Sequence, residues 1–253
     1  MNVLERALIE KAGNEHGWEL VVQSDEGGVV LSSARHSACI SISEAEGGKG
    51  WSIAGLSALI GQEIYRTFPE DRSPEGDFIA SDTDKLGQLL LRAAELAQSL
   101  PNQAALTYTR RVQHELVHMD LATEAERMVK QRIGQDTFRK ALMDYWGRAC
   151  AVTGVDLPEV LRASHAKPWA QCESDEERLD VFNGFLLCAH LDALFDRGLI
   201  TFDSKGCLIC SARLTPGQRE VLNVTDDLSL RWVAPEHAPY LAWHCDHVFV
   251  AEK

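Results

Sequence analysis

Between His165 and Asp196 the chain reads ASHAKPW, then an acidic stretch, then FNGFLLCAHLDALFD. His165 ends a short apolar run (Val160, Leu161, Ala163), and an imidazole with an ordinary pKa of about 6.5 can take a proton from water near neutrality. Asp192 and Asp196, four apart in a segment of helical pattern, would present two carboxylates on one face, and hard divalent cations prefer such oxygen ligands. Asn183 opens the second apolar run, where its short amide can tie the intervening loop to the backbone and so set the histidine's approach. The implied order is strand, loop, strand, helix. A general base beside a carboxylate-held cation suits hydrolysis of a phosphodiester, in which negative charge grows on the phosphoryl oxygens and on the departing sugar oxygen. Such a base must be neutral, so activity is expected to fall in mild acid. Arg197, directly after Asp196, can either steady a phosphate or pair with the acids beside it.

From about Thr123 to Leu214 the sequence resembles the HNH endonucleases of the beta-beta-alpha-metal superfamily. The resemblance is carried by TEAERMVKQRIGQDTFRKALMDYWGRACAVTG, LRASHAKPW, ERLDVFNGFLL and DALFDRGLITF, which are similar, segment by segment, to a bacterial subfamily often found among restriction and phage-defence genes. It implies that His165 is the general base, Asn183 the loop-organising residue and Asp192 a metal ligand. The third motif position thus holds Asp rather than His, which moves the expected cofactor away from Zn2+ toward Mg2+, with Mn2+ as the next candidate. Some relatives, the nuclease colicins among them, add one ligand four residues after that position and another just before the base. These map onto Asp196 and Ser164, and serine is a poor ligand. Two protein carboxylates are therefore expected, with waters and phosphate oxygens completing the shell. DNA is the implied substrate, and restriction or defence the implied setting. Because one HNH site cuts one strand, double-strand cleavage would need a homodimer or two visits.

Two further motifs compete with this reading. His114, Glu115 and His118 spell HExxH, in which histidines one turn apart can bind zinc while the glutamate activates water, as in a zinc peptidase. Nothing nearby extends the motif, and a polar helix face with Leu116, Val117 and Leu121 behind it is the plainer reading. Cys207 and Cys210 form a CxxC, and Cys150 precedes Gly154, but where a second knuckle cysteine would stand the chain has Thr153. The CLIC run after Gly206 reads as a buried strand, and free buried thiols are expected.

The elements that must position the site belong to a chain of 253 residues with net charge −13. That charge argues against indiscriminate polyanion binding. The local balance differs: from Arg127 to Arg148 six bases face two acids, over an apolar stripe of Phe138, Ala141, Leu142 and Tyr145. Arg132, Arg139, Lys140 and Arg148, with Lys167 and Arg197, form the expected DNA track, which Arg162 and Arg178 would extend. An α+β protein is expected, with an accessory module at 1–101, a connecting helix at 102–122 and an HNH domain at 123–253. The module shows a helix from Val3 to Ala12, strands at Trp18–Gln23, Val29–Ser33 and Ala38–Ser43, a charged loop from Arg66 to Asp84, and a helical stripe from Leu86 to Ala97. It is acidic, which favours a protein partner or small ligand over a second DNA grip. A partner-gated or non-catalytic HNH subunit is the main alternative. No run approaches the roughly twenty apolar residues of a membrane helix, no signal peptide opens the chain, and the cytoplasm is the expected compartment.

Overall fold

The computed structural model describes residues 1–73, 76–100, 102–116 and 123–251. The chain divides into two compact units, Met1–Gln103 and Ala104–Lys253, each mixing helix and antiparallel sheet in an α+β architecture.

In the first unit α1 (Val3–Glu15) starts at Asn2, whose side chain accepts the Glu5 N–H while the Glu5 carboxylate accepts the Asn2 N–H. This capping box satisfies two amides that a helix start leaves orphaned. Next come β1 (Leu20–Asp25), β2 (Gly28–Ser32), β3 (Cys39–Glu44), β4 (Trp51–Ala54), α2 (Ala58–Thr67), β5 (Phe78–Ala80) and α3 (Thr83–Ser99), with the strands in sequential antiparallel order. Alternate residues Val29, Leu31, Ile40, Ile42 and Ile53 are buried, as are Leu86, Leu89, Leu90, Ala93, Leu96 and Ala97 of α3. The stretch from Arg66 to Asp84, expected as a charged loop, contains the end of α2, a 3-10 turn at Pro69–Asp71, and β5 with Phe78 and Ala80 buried. Three residues are too few to show alternation, and β5 is held by its register with β4, Trp51 opposite Ala80 and Ile53 opposite Phe78.

In the second unit α4 (Gln103–Leu116) is tied to α5 (Thr123–Tyr145) by Arg111, which pairs with Asp136 at 3.0 Å and donates to Thr137 Oγ1 at 3.1 Å. There follow β6 (Leu161–His165), α6 (Asp175–Leu179), β7 (Gly184–Cys188) and α7 (Ala189–Asp196), the expected strand, loop, strand and helix with a short helix, α6, inside the loop. β6 and β7 pair antiparallel from Leu161–Cys188 to His165–Gly184, with contacts to both α5 and α7. Every residue of β7 is buried, as a continuous apolar run requires of a strand covered on both faces. Gly184 leaves no room for a side chain: a Cβ there would stand 2.5 Å from the Ser164 carbonyl oxygen and 2.6 Å from Phe138 Cζ.

The hairpin of β8 (Ile200–Phe202) and β9 (Leu208–Cys210), then α8 (Pro216–Val221) and α9 (Ala238–His247), complete the unit. The expectation of buried thiols in CLIC is corrected here. All seven cysteines are free, but Cys207 is exposed and Cys210 half-buried, because β9 is the outer strand of the ribbon and buries Leu208 alone, while β8 beside it is buried throughout. Among the described residues no helix is long and apolar enough to cross a membrane.

Candidate active site

Neighbouring residues of a strand face opposite sides, and the end of β6 uses both. Ser164, fully buried, turns to α7, where its hydroxyl donates to the Asp192 carboxylate. His165 turns to α5: its ring stacks on Phe138 with centroids 3.7 Å apart and meets the Trp169 indole edge-on at 5.9 Å. His165 Nε2 lies 2.9 Å from the Arg178 carbonyl oxygen. A carbonyl only accepts, so Nε2 carries the hydrogen and Nδ1 keeps the lone pair. Burial lowers this imidazole from 6.5 to about 4, against the opposing pull of the Arg178 hydrogen bond. The reading of His165 as a histidine titrating in mild acid is thereby corrected, because the apolar walls of Phe138 and Trp169 were not legible from the motif.

Asn183 is fully buried and does tie the loop. Its side-chain oxygen accepts the Lys167 N–H at 2.8 Å, and its amide donates to the Lys167 and Glu177 carbonyls at 3.2 and 3.1 Å. The segment that follows His165 and the segment that delivers the Arg178 carbonyl are thus held by one side chain.

A cleft of about 450 Å³ opens beside this assembly, lined by His165, Trp169, Asp196, Arg197 and His244 among others. Asp192 lies one helical turn before Asp196, within electrostatic reach of it. Desolvation at the cleft wall, then the neighbouring Asp192 charge, raise the Asp196 carboxyl from 3.8 to about 6, with Arg197 pulling the other way. A base with a defined lone pair therefore shares a cleft with one of two mutually repelling carboxylates and a guanidinium.

The family model of HNH endonucleases matches residues 150–203, which span the β6–β7 hairpin, α7 and β8. This segment is an HNH endonuclease domain. A search of the curated proteins finds none that matches the chain. The HNH segment holds His165, Asn183, Asp192 and Asp196, while Phe138 on α5 and His244 on α9 reach the same place from outside it.

The carboxylate pair of the HNH domain fits a hard divalent cation: it is short of positive charge, and its oxygens suit such an ion. Among the described residues no group of three or more His, Cys, Asp or Glu stands together as a metal cluster. Ser164 fills the third ligand position of some relatives with a donor to Asp192 instead, a role that strand alternation could have signalled. Cys150, Thr153 and Cys188 do converge: the Cys150 sulfur accepts the Thr153 and Cys188 N–H groups at 3.4 Å, and Thr153 Oγ1 lies 3.3 Å from Cys188 Sγ.

The expected DNA track divides. Lys140 and Arg197 are exposed with no ion pair among the described residues. Arg132 stands 3.7 Å from Glu115 in a partly exposed pair that holds it weakly, while the exposed Arg148 stands 3.8 Å from the buried Asp144 carboxylate. Lys167 pairs with Glu177 at 2.7 Å. Arg139 is committed to the Leu161 and Pro158 carbonyls at 2.7 and 2.9 Å, and Arg178 and Arg162 likewise hold backbone carbonyls, so these three brace the approaches to β6 and β7. Of the HExxH residues, His114 and Glu115 close α4, with Glu115 facing Arg132, and His118 lies outside the described residues.

Proposed function

We propose that the protein is a divalent-metal-dependent endonuclease that hydrolyses DNA phosphodiester bonds, acting in the cytoplasm within a restriction or phage-defence system. The observation that carries this reading is a neutral His165 whose Nε2–H is spent on the Arg178 carbonyl, in a cleft shared with Asp196 and Arg197. His165 Nδ1 takes the proton of the attacking water. Asn183 keeps the loop, and with it the Arg178 carbonyl, in register with the ring. Asp192, steadied by Ser164, and Asp196 would hold the cation, Mg2+ or Mn2+ before Zn2+. The bound ion supplies charge stabilisation to the phosphoryl oxygens and the leaving oxygen. Arg197 contacts a phosphate oxygen at the cleft wall, and Lys140, Arg132 and Arg148 receive the flanking backbone.

Supercoiled plasmid incubated with Mg2+ or Mn2+ should be nicked or linearised, EDTA should stop the reaction, and His165→Ala should slow it by about 10²- to 10⁴-fold. Cutting by a well-folded His165→Ala protein at the wild-type rate would overturn the assignment. One observation favours a second reading. With two carboxylates and a serine at the third position, the cation site is sparse, which suits a module completed by a partner protein. Cutting that begins only when a neighbouring gene's product is added would select it.

A further inference from the structure

The imidazole of His244 is buried in the last turn of α9, yet it belongs to the wall of the catalytic cleft and lies outside the segment matched by the family. Its Nε2 is 3.1 Å from the Phe195 carbonyl oxygen, and its Nδ1 is 2.9 Å from Thr201 Oγ1. The carbonyl can only accept, so Nε2 carries the hydrogen and Nδ1 accepts from the Thr201 hydroxyl. The ring also lies flat on the Phe195 side chain, centroids 3.8 Å apart at an interplanar angle of 2°. Phe195 immediately precedes Asp196. Backbone bonds fasten the same turn: Gly198 N–H donates to the Phe195 carbonyl at 2.9 Å, and Val250 N–H donates to the Gly198 carbonyl at 2.9 Å. Gly198 has φ 65° and a Cβ there would stand 2.0 Å from the Val248 carbonyl oxygen, so the chain after α9 presses directly on the end of α7.

We propose that His244 is a positioning residue that, oriented by Thr201, clamps the last turn of α7 and so sets where the Asp196 carboxylate stands in the cleft. The inference rests on the reading of Asp196 as a cation ligand. A carboxylate on the last turn of a helix frays with that turn unless its carbonyls are held, and here a side chain distant in sequence shares the hold on the Phe195 carbonyl with the Gly198 N–H. Partners that orient a ligand without touching the ion typically contribute 10- to 100-fold to metal affinity.

Mn2+ binding to the full chain, followed by the electron paramagnetic resonance signal of free Mn2+, tests this with His244→Leu, His244→Gln and Thr201→Val, each checked for its melting transition. His244→Leu should weaken binding on the order of 10- to 100-fold, and Thr201→Val by a smaller factor of about 3. His244→Gln, whose amide can donate to the same carbonyl, should recover most of the loss even where its melting temperature resembles that of His244→Leu. If His244→Leu fails to fold, Thr201→Val and His244→Gln decide. Wild-type Mn2+ affinity in every folded variant, or no Mn2+ binding by the wild type, overturns the proposal. Plasmid cutting with Mn2+ affinity indifferent to these substitutions would sink the clamp and keep the nuclease reading; His244-dependent Mn2+ binding without cutting would do the reverse.

Discussion

A general base must be uncharged and must keep one nitrogen unoccupied, and His165 meets the two conditions by separate means. Its walls, Phe138 and Trp169, disfavour the imidazolium, while the Arg178 carbonyl selects the tautomer. With the ring's pKa at about 4 instead of 6.5, lowering the pH from 7 to about 5 leaves the base neutral, and protonation follows only near 4. Titration of the His165 ring signals by NMR should show its midpoint near 4; a midpoint near 6.5 would mean that the apolar walls do not hold in solution. Replacing His165 with alanine should cost about 10²- to 10⁴-fold in kcat, the usual worth of general base catalysis. Asn183 answers a different need. Asn183→Ala would strip partners from the Lys167 N–H and from two carbonyls in a buried place, costing about 2–4 kcal/mol by urea unfolding along with a slower reaction.

Elements carry these side chains to one another, and α5 packs on the hairpin with no room to spare at Gly184. Gly184→Ala would push a methyl group against the Ser164 carbonyl and the Phe138 ring, so a loss of about 1–3 kcal/mol is expected in chemical denaturation, with weaker Mn2+ binding because Ser164 steadies Asp192. Unchanged stability would show that β6 and α5 can part at little cost. Much of this level was legible in the chain: the α3 stripe, the unbroken apolar run of β7 and the spacing of Asp192 and Asp196 each encode a local geometry. What could not be read depends on separation in sequence. Strands as short as β4 and β5 exist through pairing with their neighbours, β4 with β3 and β5 with β4, and β5 is preceded by charged residues. His244 sits in AWHCDH, where nothing marks it as reaching Phe195, and Arg139 reads as a DNA cation until two carbonyls are found beside its guanidinium.

At the scale of the whole molecule, buried imidazoles and net charge set the response to solution conditions. His165 and His244 both have pKa values near 4 when folded, against 6.5. Between those values the unfolded chain binds more protons, so stability from these groups is intact above 6.5 and falls as the pH drops toward 4, by up to about 3 kcal/mol each. The difference between wild type and His165→Gln in urea midpoint against pH isolates the share of one ring, and a flat difference across that window would refute it. Salt should act weakly on DNA binding. A chain of net charge −13 repels a polyanion at long range, and of the expected track the exposed side chains are Lys140 and Arg197, with Arg132 beside Glu115 and Arg148 beside the buried Asp144. Each neutralised phosphate contributes about −0.9 to the slope of log K against log salt, so four such contacts limit it to about −4. Anisotropy of a labelled duplex, with Ca2+ in place of a catalytic ion, should give a slope between about −2 and −4. A steeper slope, near −8, would require cations beyond this set and would move the DNA path away from the face of α5 and the mouth of the cleft.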